Sequence, residues 1–143
     1  MTAAYDPNNI FAKILRGEAP CVSVYEDAVA LAFMDVMPRA EGHTLVIPKV
    51  AARNLLDVPT DALLRLMPAV QKLCVAVKAA MAAEGILLQQ FNESASGQMV
   101  FHLHFHVLPR WDGVALRPPG GPFVPAAQLE PFAAKIRAAL KAA

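Results

Sequence analysis

The sequence predicts one mixed domain in which short strands, most of them joined as hairpins, combine with one long helix and two shorter helices. Three observations lead to this prediction. With 143 residues, 56% of them apolar, the chain is long enough for one core and too short for two ordinary domains. Two hairpin-like pairs of extended runs flank a single strand and a long helical stretch. From Phe101 to Val107, apolar residues alternate with histidines, which is the period of a strand.

The first and last predicted helices are short and amphipathic. Asn8 or Asn9 can cap the first helix, and Gly17 supplies a left-handed stop. Its apolar side comprises Ile10, Phe11, Ile14 and Leu15. The last helix follows a loop, RPPGGPFVP, that is too rich in Pro and Gly for regular structure. Its apolar side comprises Phe132, Ile136 and Leu140.

The long helix is predicted over residues 57–84, with Thr60 as its cap and Gly85 as its stop. Pro68 removes an interior hydrogen bond, so a kink or a fresh start is expected there. A core-facing stripe is formed by Leu73, Val77 and Met81. Further apolar positions are Leu63, Leu64, Met67 and Val70. Together they exceed what one small sheet needs, which predicts a homodimer that buries the excess.

Five extended runs are expected to be strands because they are apolar or alternating and are bounded by turn residues. They are residues 22–26, 28–36, 43–49, 86–92 and 101–107. The first two are joined near Asp27 as a hairpin. Asp35 ends the second run on the same face as Leu31 and Phe33, and geometry alone leaves open whether it is a turn residue or a functional acid.

Composition excludes several classes of function. Thirteen Lys and Arg residues against twelve Asp and Glu leave a net charge of +1, so no basic surface indicates nucleic-acid binding. No apolar stretch approaches the roughly 18 residues of a membrane span, and the N-terminus has no export signal. Cys21 and Cys74 are expected to be free thiols in a reducing compartment. These features predict a cytoplasmic protein that acts on small molecules.

Three of the four histidines, His102, His104 and His106, share one face of the last predicted strand. Each buried ring needs a hydrogen-bond partner, so three in register indicate function rather than structure. At about 3.3 Å per residue the outer two lie roughly 13 Å apart, too far for one zinc ion with bonds of about 2 Å, although adjacent pairs could still bind a metal. A catalytic row fits better, with the central imidazole as nucleophile or base and its neighbours supplying protons.

The sequence resembles the histidine-triad (HIT) superfamily of nucleotide hydrolases and transferases. The signature His-x-His-x-His, followed by apolar residues, is matched by HLHFHVL at 102–108. Further matching segments, in the family's order, are NIFAKI at 9–14, YED at 25–27, AFMD at 32–35, GHTLVIPK at 42–49 and residues 92–98. The resemblance implies a HIT-like α+β fold with a five-stranded antiparallel sheet, a short N-terminal helix, a long central helix and a C-terminal helix. It also implies a homodimer whose sheets join. Residues 1–143 would form one domain, with its core at about 8–110 and a variable loop and helix at 111–143.

The resemblance also implies residue roles. His104 matches the nucleophile that attacks an α-phosphate and forms a nucleotidyl-histidine, and His106 matches the residue that contacts phosphate and assists the leaving group. His102 matches the position whose backbone orients the nucleophile, and His43 matches the fourth, supporting histidine. Asp35 corresponds to the carboxylate that binds the ribose hydroxyls. The base pocket corresponds to Ile10, Phe11, Ile14, Phe33 and Val36, and the polar turn beside the phosphates corresponds to Asn92, Gly97 and Gln98.

Two departures from the family pattern bear on activity. Many relatives have Ser or Thr where Met99 stands, and a thioether cannot donate a hydrogen bond to phosphate. Relatives with structural zinc carry Cys-x-x-Cys where Asn9-Ile10-Phe11-Ala12 stands, so no metal and no cofactor are expected. Trp111 has no clear motif match, and its role stays open.

Three functions remain as hypotheses. The first is a hydrolase or transferase that releases a nucleoside monophosphate from a purine nucleotide such as a phosphoramidate or a dinucleoside polyphosphate. The second is a nucleotide-binding or adaptor protein with little turnover. The third is a metal-binding module that uses two triad histidines and His43. The physiological substrate and the leaving group are not determined by these motifs.

Overall fold

A computed structural model describes residues 3–143. Its helices are α1 (Ile10–Leu15), α2 (Thr60–Ala80) and α3 (Ala126–Ala142), with one 3-10 turn at Ser94–Ser96. Its strands are β1 (Ser23–Glu26), β2 (Ala30–Met34), β3 (Thr44–Pro48), β4 (Gly85–Gln89) and β5 (Phe105–Arg110). The strands form one sheet in the order β1-β2-β3-β5-β4, and every neighbouring pair is antiparallel. The α+β class and the five-stranded sheet are confirmed.

The sheet is covered on both faces, and alternate residues of β2 and β3 divide between two apolar clusters. On one face Ala32 and Val46 pack in the larger cluster, which also contains the buried sides of α2 and α3. On the other face Phe33 and Leu45 pack with Phe11 of α1. The second face is only partly covered because α1 has six residues, and this leaves room for a cavity beside it.

Helix α1 forms as predicted. Asn9 is the N-cap and its side-chain oxygen accepts the N–H of Ala12 at 2.9 Å, while Gly17 has a φ of 77° just beyond the helix. Helix α3 also buries Ile136, as predicted, and Leu129 and Ala133 complete its buried side.

Three details of α2 differ from the prediction. The helix continues through Pro68, which lies on its exposed side, where water can bind the carbonyl that the proline leaves unpaired. Thr60 is the first helical residue rather than the cap, a position that Pro59 occupies. The residue with a left-handed conformation after the helix is Ala82, with a φ of 47°, whereas Gly85 begins β4.

The histidine strand is shorter at its start than predicted and longer at its end. Residues 101–104 lie before β5 and are held in other ways, including a bond from the Leu103 N–H to the Ala52 carbonyl at 2.9 Å. β5 then continues to Arg110, which pairs with Gly85 of β4. β4 ends at Gln89 rather than at residue 92.

Within residues 3–143, no helix combines the length and the apolar character that crossing a membrane requires. Cys21 and Cys74 are both free thiols, as predicted.

Leu73 on α2 is fully buried, and its replacement tests the core directly. We expect Leu73→Ala to lower the free energy of unfolding by about 2–5 kcal/mol, because the substitution leaves a cavity between α2 and the sheet. Leu56, which is 65% exposed in the loop before α2, is the matched control, and Leu56→Ala should change the free energy by less than about 0.5 kcal/mol. Urea unfolding followed by circular dichroism measures both, and equal losses would contradict the assignment of the core.

Candidate active site

A cavity of about 770 Å³ lies on the α1 side of the sheet. It has the size and the mostly apolar lining of a small-molecule site. Ten of the fourteen predicted site residues line it, namely Ile10, Phe11, Ile14, Phe33, Asp35, Val36, Gly97, Met99, His104 and His106. The other four, His43, His102, Asn92 and Gln98, are absent from the lining. Their hydrogen bonds show that they support it from behind.

His104 is held with one nitrogen unprotonated. Its Nδ1 lies 2.7 Å from the carbonyl oxygen of His102, and because a carbonyl only accepts, Nδ1 carries the proton. Phe11 packs edge-to-face on the ring, with centroids 5.0 Å apart. The Nε2 lone pair of His104 is therefore available to a phosphorus atom in the cavity, as a nucleophile requires.

The proton positions on His43 and His106 follow from the backbone. The N–H of Arg39 donates to Nδ1 of His43 at 3.0 Å, so the proton of neutral His43 is on Nε2. That Nε2 lies 3.0 Å from Nδ1 of His106, which must accept, so neutral His106 carries its proton on Nε2. His106 can thus donate a hydrogen bond from Nε2, and His43 fixes that state from behind.

His102 is fully buried between two partners. Its Nε2–H donates to the carbonyl of Pro48 at 2.9 Å, and its Nδ1 accepts the hydroxyl of Tyr5 at 2.6 Å. The ring is thus fixed between β3 and the N-terminal segment, while its own carbonyl holds His104. The role of the His102 backbone in orienting a nucleophile stays a prediction.

Burial lowers the pKa of all four histidines below the usual 6.5, because the charged form loses its hydration. For His43 the pKa falls to about 4, although Asp35 opposes the fall. For His106 it falls to about 3, since burial is reinforced by the positive charges of His104, His43 and Arg39. The histidine cluster is neutral at pH 7 in the empty site.

Asp35 lines the cavity and also lies beside His43. Its Oδ1 accepts the N–H of Met37 at 2.8 Å, and its Oδ2 lies 3.3 Å from Nε2 of His43 while the residue also lines the cavity. Asp35, His43 and His106 place one ligand atom each within 4.8 Å of one another, so they form the set best placed to hold a metal ion. This set contains one triad histidine rather than the two that the metal hypothesis used, and the absence of a metal stays a prediction.

The loop after β4 is held in a strained conformation by side chains behind the cavity. Glu93 has a φ of 73°, which costs a non-glycine residue of order 1 kcal/mol or more. Arg53 binds its carboxylate through two hydrogen bonds of 2.9 Å. The Oε1 of Gln98 accepts the Glu93 N–H at 2.7 Å, and its Nε2 donates to the Arg53 carbonyl at 2.8 Å. These contacts fix Gly97, whose φ of 109° suits glycine, at the edge of the cavity.

The side chains of Asn92 and Gln98 therefore hold the loop, and their predicted phosphate contacts stay predictions. Asn92 exchanges two amide hydrogen bonds with Gln90 and accepts the N–H of Leu55. The N–H groups of Gly97 and Gln98 are also used inside the loop, on the carbonyls of Ser94 and Glu93.

Met99 is 64% exposed and lines the cavity. Ser96 lines it too, but its hydroxyl lies 2.8 Å from the Asn92 carbonyl and 3.0 Å from the Glu93 carbonyl, both of which can accept its proton. The serine therefore does not replace the hydroxyl that Met99 lacks.

The sequence analysis missed several residues of the site, and three of them contact the histidines or bring a distant loop to the cavity. Tyr5 bonds His102, Arg39 lines the cavity beside its bond to His43, and Phe123 reaches the cavity from the loop before α3. Phe123 is 75% exposed, and the adjacent Val124 N–H donates to the Val36 carbonyl at 2.7 Å. None of the three belongs to a periodic pattern. The aromatic residue inside a Pro- and Gly-rich loop was the one available signal.

Comparisons with known proteins find a family and a solved structure that match this chain in sequence and in fold. The family model of the HIT domain matches residues 16–113. A crystal structure of a HIT-like protein from Bartonella henselae, described as involved in cell-cycle regulation and as containing an unknown ligand, superposes with a TM-score of 0.89. It is 56% identical, with 95% of this chain and 99% of that chain covered.

Two relatives have named activities. An adenosine 5′-monophosphoramidase of Schizosaccharomyces pombe is 38% identical over 101 residues, which cover 71% of this chain and 73% of the relative. An adenylylsulfatase of Arabidopsis thaliana is 36% identical over 101 residues, which cover 71% of this chain and 51% of the relative.

The hydrogen bonds predict one tautomer for each histidine. At pH 7.5 we expect His43, His102 and His106 to carry the proton on Nε2 and His104 to carry it on Nδ1, because each partner can only donate or only accept. Nitrogen-15 NMR of the ring nitrogens distinguishes the two neutral forms. Tyr5→Phe is the control, since it should change the Nδ1 shift of His102 most. A His104 with its proton on Nε2 would contradict the nucleophile geometry.

Acid should weaken both the fold and the activity. Because the histidine pKa values in the folded protein lie below the unfolded value of 6.5, the neutral rings stabilise the fold fully above pH 6.5, and this contribution is lost as the pH falls toward 4. We expect the free energy of unfolding and kcat/KM to fall over this range, with activity recovered on neutralisation. Urea titrations and turnover are measured beside far-UV circular dichroism. Irreversible loss of activity together with secondary structure would contradict a titration.

Proposed function

This chain belongs to the HIT family, and from that premise we propose that it is a nucleotide hydrolase or transferase whose His104 attacks the α-phosphate of a purine nucleotide. The nucleotide-binding role of the family supports the general part of this proposal, that the ligand is a nucleotide. The observation that carries the rest is the unprotonated Nε2 of His104, fixed by the carbonyl of His102 in a cavity of nucleotide size. The product is a nucleoside monophosphate.

The apolar half of the cavity suits a base, and its polar half suits ribose and phosphate. Ile10, Ile14 and Phe33 offer faces for a planar ring, and the outer carboxylate oxygen of Asp35 can accept ribose hydroxyls. His104 and His106 have ring centroids 4.9 Å apart, so a phosphate can contact both rings. A purine nucleotide is the ligand that fits this order of groups.

The first chemical step forms the bond between His104 Nε2 and phosphorus and breaks the bond to the leaving group. The proton of His104 stays on Nδ1, where the His102 carbonyl stabilises the resulting cationic adduct. In the second step water or another acceptor attacks phosphorus and releases its proton to solvent, because neutral His106 already carries a proton on Nε2 and its Nδ1 accepts from His43. His104 then leaves as a neutral imidazole. Fixed positions supply most of the rate, because phosphoryl transfer depends chiefly on in-line geometry and charge stabilisation.

A second candidate function is nucleotide binding with little turnover. It is favoured by Met99, which puts a thioether at the cavity edge while the Ser96 hydroxyl is engaged by loop carbonyls. Both candidates predict binding of AMP, but only the first predicts a covalent intermediate.

We further propose that the functional unit is a homodimer. β4 is an edge strand of the sheet, so one row of its backbone N–H and C=O groups can pair with a second chain. α2 carries an exposed stripe at Leu64, Pro68, Gln71, Val75 and Ala79. Of the residues that suggested a dimer from sequence, Val70, Leu73 and Val77 lie in the core of one chain, so the exposed stripe replaces them. A cytoplasmic location remains part of the proposal.

The covalent step is tested with His104→Gly. We expect turnover of an adenylyl phosphoramidate to fall by at least about 1,000-fold, since no other unprotonated ring nitrogen points into the cavity from the described residues. Quenched wild-type enzyme should gain the mass of one adenylyl group, and the variant should gain none. AMP binding measured by calorimetry controls for folding. AMP binding by the wild-type protein without an adduct or product would favour the second candidate.

The dimer is tested by light scattering at micromolar concentration, where the wild type should have twice the mass of one chain. Leu64, 67% exposed on the α2 stripe, and Leu56, 65% exposed outside it, form a matched pair. We expect Leu64→Lys to give monomers, because it places a charge in the apolar contact, and Leu56→Lys to leave the dimer intact. A monomeric wild type would overturn this proposal.

A further inference from the structure

Arg39 is a cationic residue of the cavity that holds the proposed nucleophile. It lines the cavity together with His104 and His106, and its own backbone N–H fixes His43. It follows Pro38 in the turn between β2 and β3. The side chain is therefore fixed at its base by the same residue that supports His106.

The guanidinium of Arg39 is positioned but not neutralised. Its Nε donates to the Arg117 carbonyl at 2.9 Å, and the Arg117 N–H donates back to the Arg39 carbonyl at 2.9 Å. Within residues 3–143 no carboxylate lies within salt-bridge distance of Arg39, although Glu41 lines a neighbouring hollow with it. Its two terminal nitrogens are thus directed by the loop before α3 while remaining available to an anion.

The protons held by His43 and His106 bear on which leaving groups the site can release. Neutral His43 and His106 share one hydrogen bond and hold no spare proton, so His106 cannot protonate a leaving group without first gaining a proton itself. An amine must be protonated as it leaves, whereas a phosphate chain or a sulfate departs as a stable anion. The cation of Arg39 also opposes proton uptake by this pair. The site is better arranged for a leaving group that needs charge than for one that needs a proton.

We propose that Arg39 forms a leaving-group subsite that selects nucleotides releasing an anion, a phosphate chain or a sulfate, over nucleotides releasing an amine. This inference rests on the proposed attack by His104. In the first step the bond from phosphorus to the bridging oxygen breaks, its electron pair stays on that oxygen, and Arg39 compensates the negative charge. No proton transfer is required in this step.

The test compares wild type with Arg39→Gln, Arg39→Lys and Arg117→Gln. Arg117 is the matched control, because it carries the same charge at the same rim, does not line the cavity, and contacts Arg39 through its backbone. Three substrates share the adenylyl group: a diadenosine polyphosphate, adenylyl sulfate and adenosine 5′-phosphoramidate. We expect Arg39→Gln to lower kcat/KM about 10-fold or more for the first two and less than about 2-fold for the third. Arg39→Lys should show only part of this loss in kcat/KM, because it keeps the positive charge. Arg117→Gln should resemble wild type.

Equal losses on all three substrates, or none, would overturn the subsite. A loss on the polyphosphate alone or on the sulfate alone identifies which anion the subsite takes. Binding gives a readout that does not need turnover: wild type should bind the α,β-methylene analogue of ATP about 10-fold more tightly than AMP, and Arg39→Gln should remove that preference. If no substrate is turned over while this preference holds, the proposed reaction fails and the subsite stands. If turnover occurs and the preference is absent in wild type, the subsite is wrong and the reaction stands.

Discussion

The structure depends on one constraint, which is that three imidazole rings are buried and a fourth, that of His106, is half-buried beside one cavity. A buried ring is stable only when its polar nitrogens have partners, and here three of those partners are backbone groups. Because a carbonyl can only accept and an amide N–H can only donate, the backbone also decides where each proton sits. The pairing of β3 with β5 therefore positions His106, and the His102 carbonyl determines which nitrogen of His104 is protonated.

Much of the fold was predictable because its signals are local. The cap at Asn9 and the hairpin of β1 and β2 are each encoded within a few residues. The predictions failed where the outcome depends on what lies across the fold. Pro68 is tolerated inside α2 because it faces solvent, and exposure is not visible in the sequence. Of the site, the family motif predicted the cavity wall, whereas Tyr5 contacts a residue 97 positions away and has no local signal.

The cavity divides into a rigid polar side and a more open apolar side. On the polar side, the ion pair with Arg53 compensates the strained backbone of Glu93 and holds the loop after β4 in shape. On the apolar side, α1 is only six residues long, and Ile10 remains partly exposed. In the proposed reaction, pre-organisation is thus concentrated where charge would develop during phosphoryl transfer, which is where it would reduce the barrier most.

The segment from Arg117 to Val124 is tied to the turn after β2 by backbone hydrogen bonds, and it brings Phe123 to the cavity before entering α3. These ties use no side chain of the segment, so its side chains are free to vary without cost to the sheet or to the histidines. The molecule is modular in this respect. Evolution can change which ligands enter through a short surface loop, because loops accept substitutions and length changes that strands do not, while the histidine cluster is inherited intact.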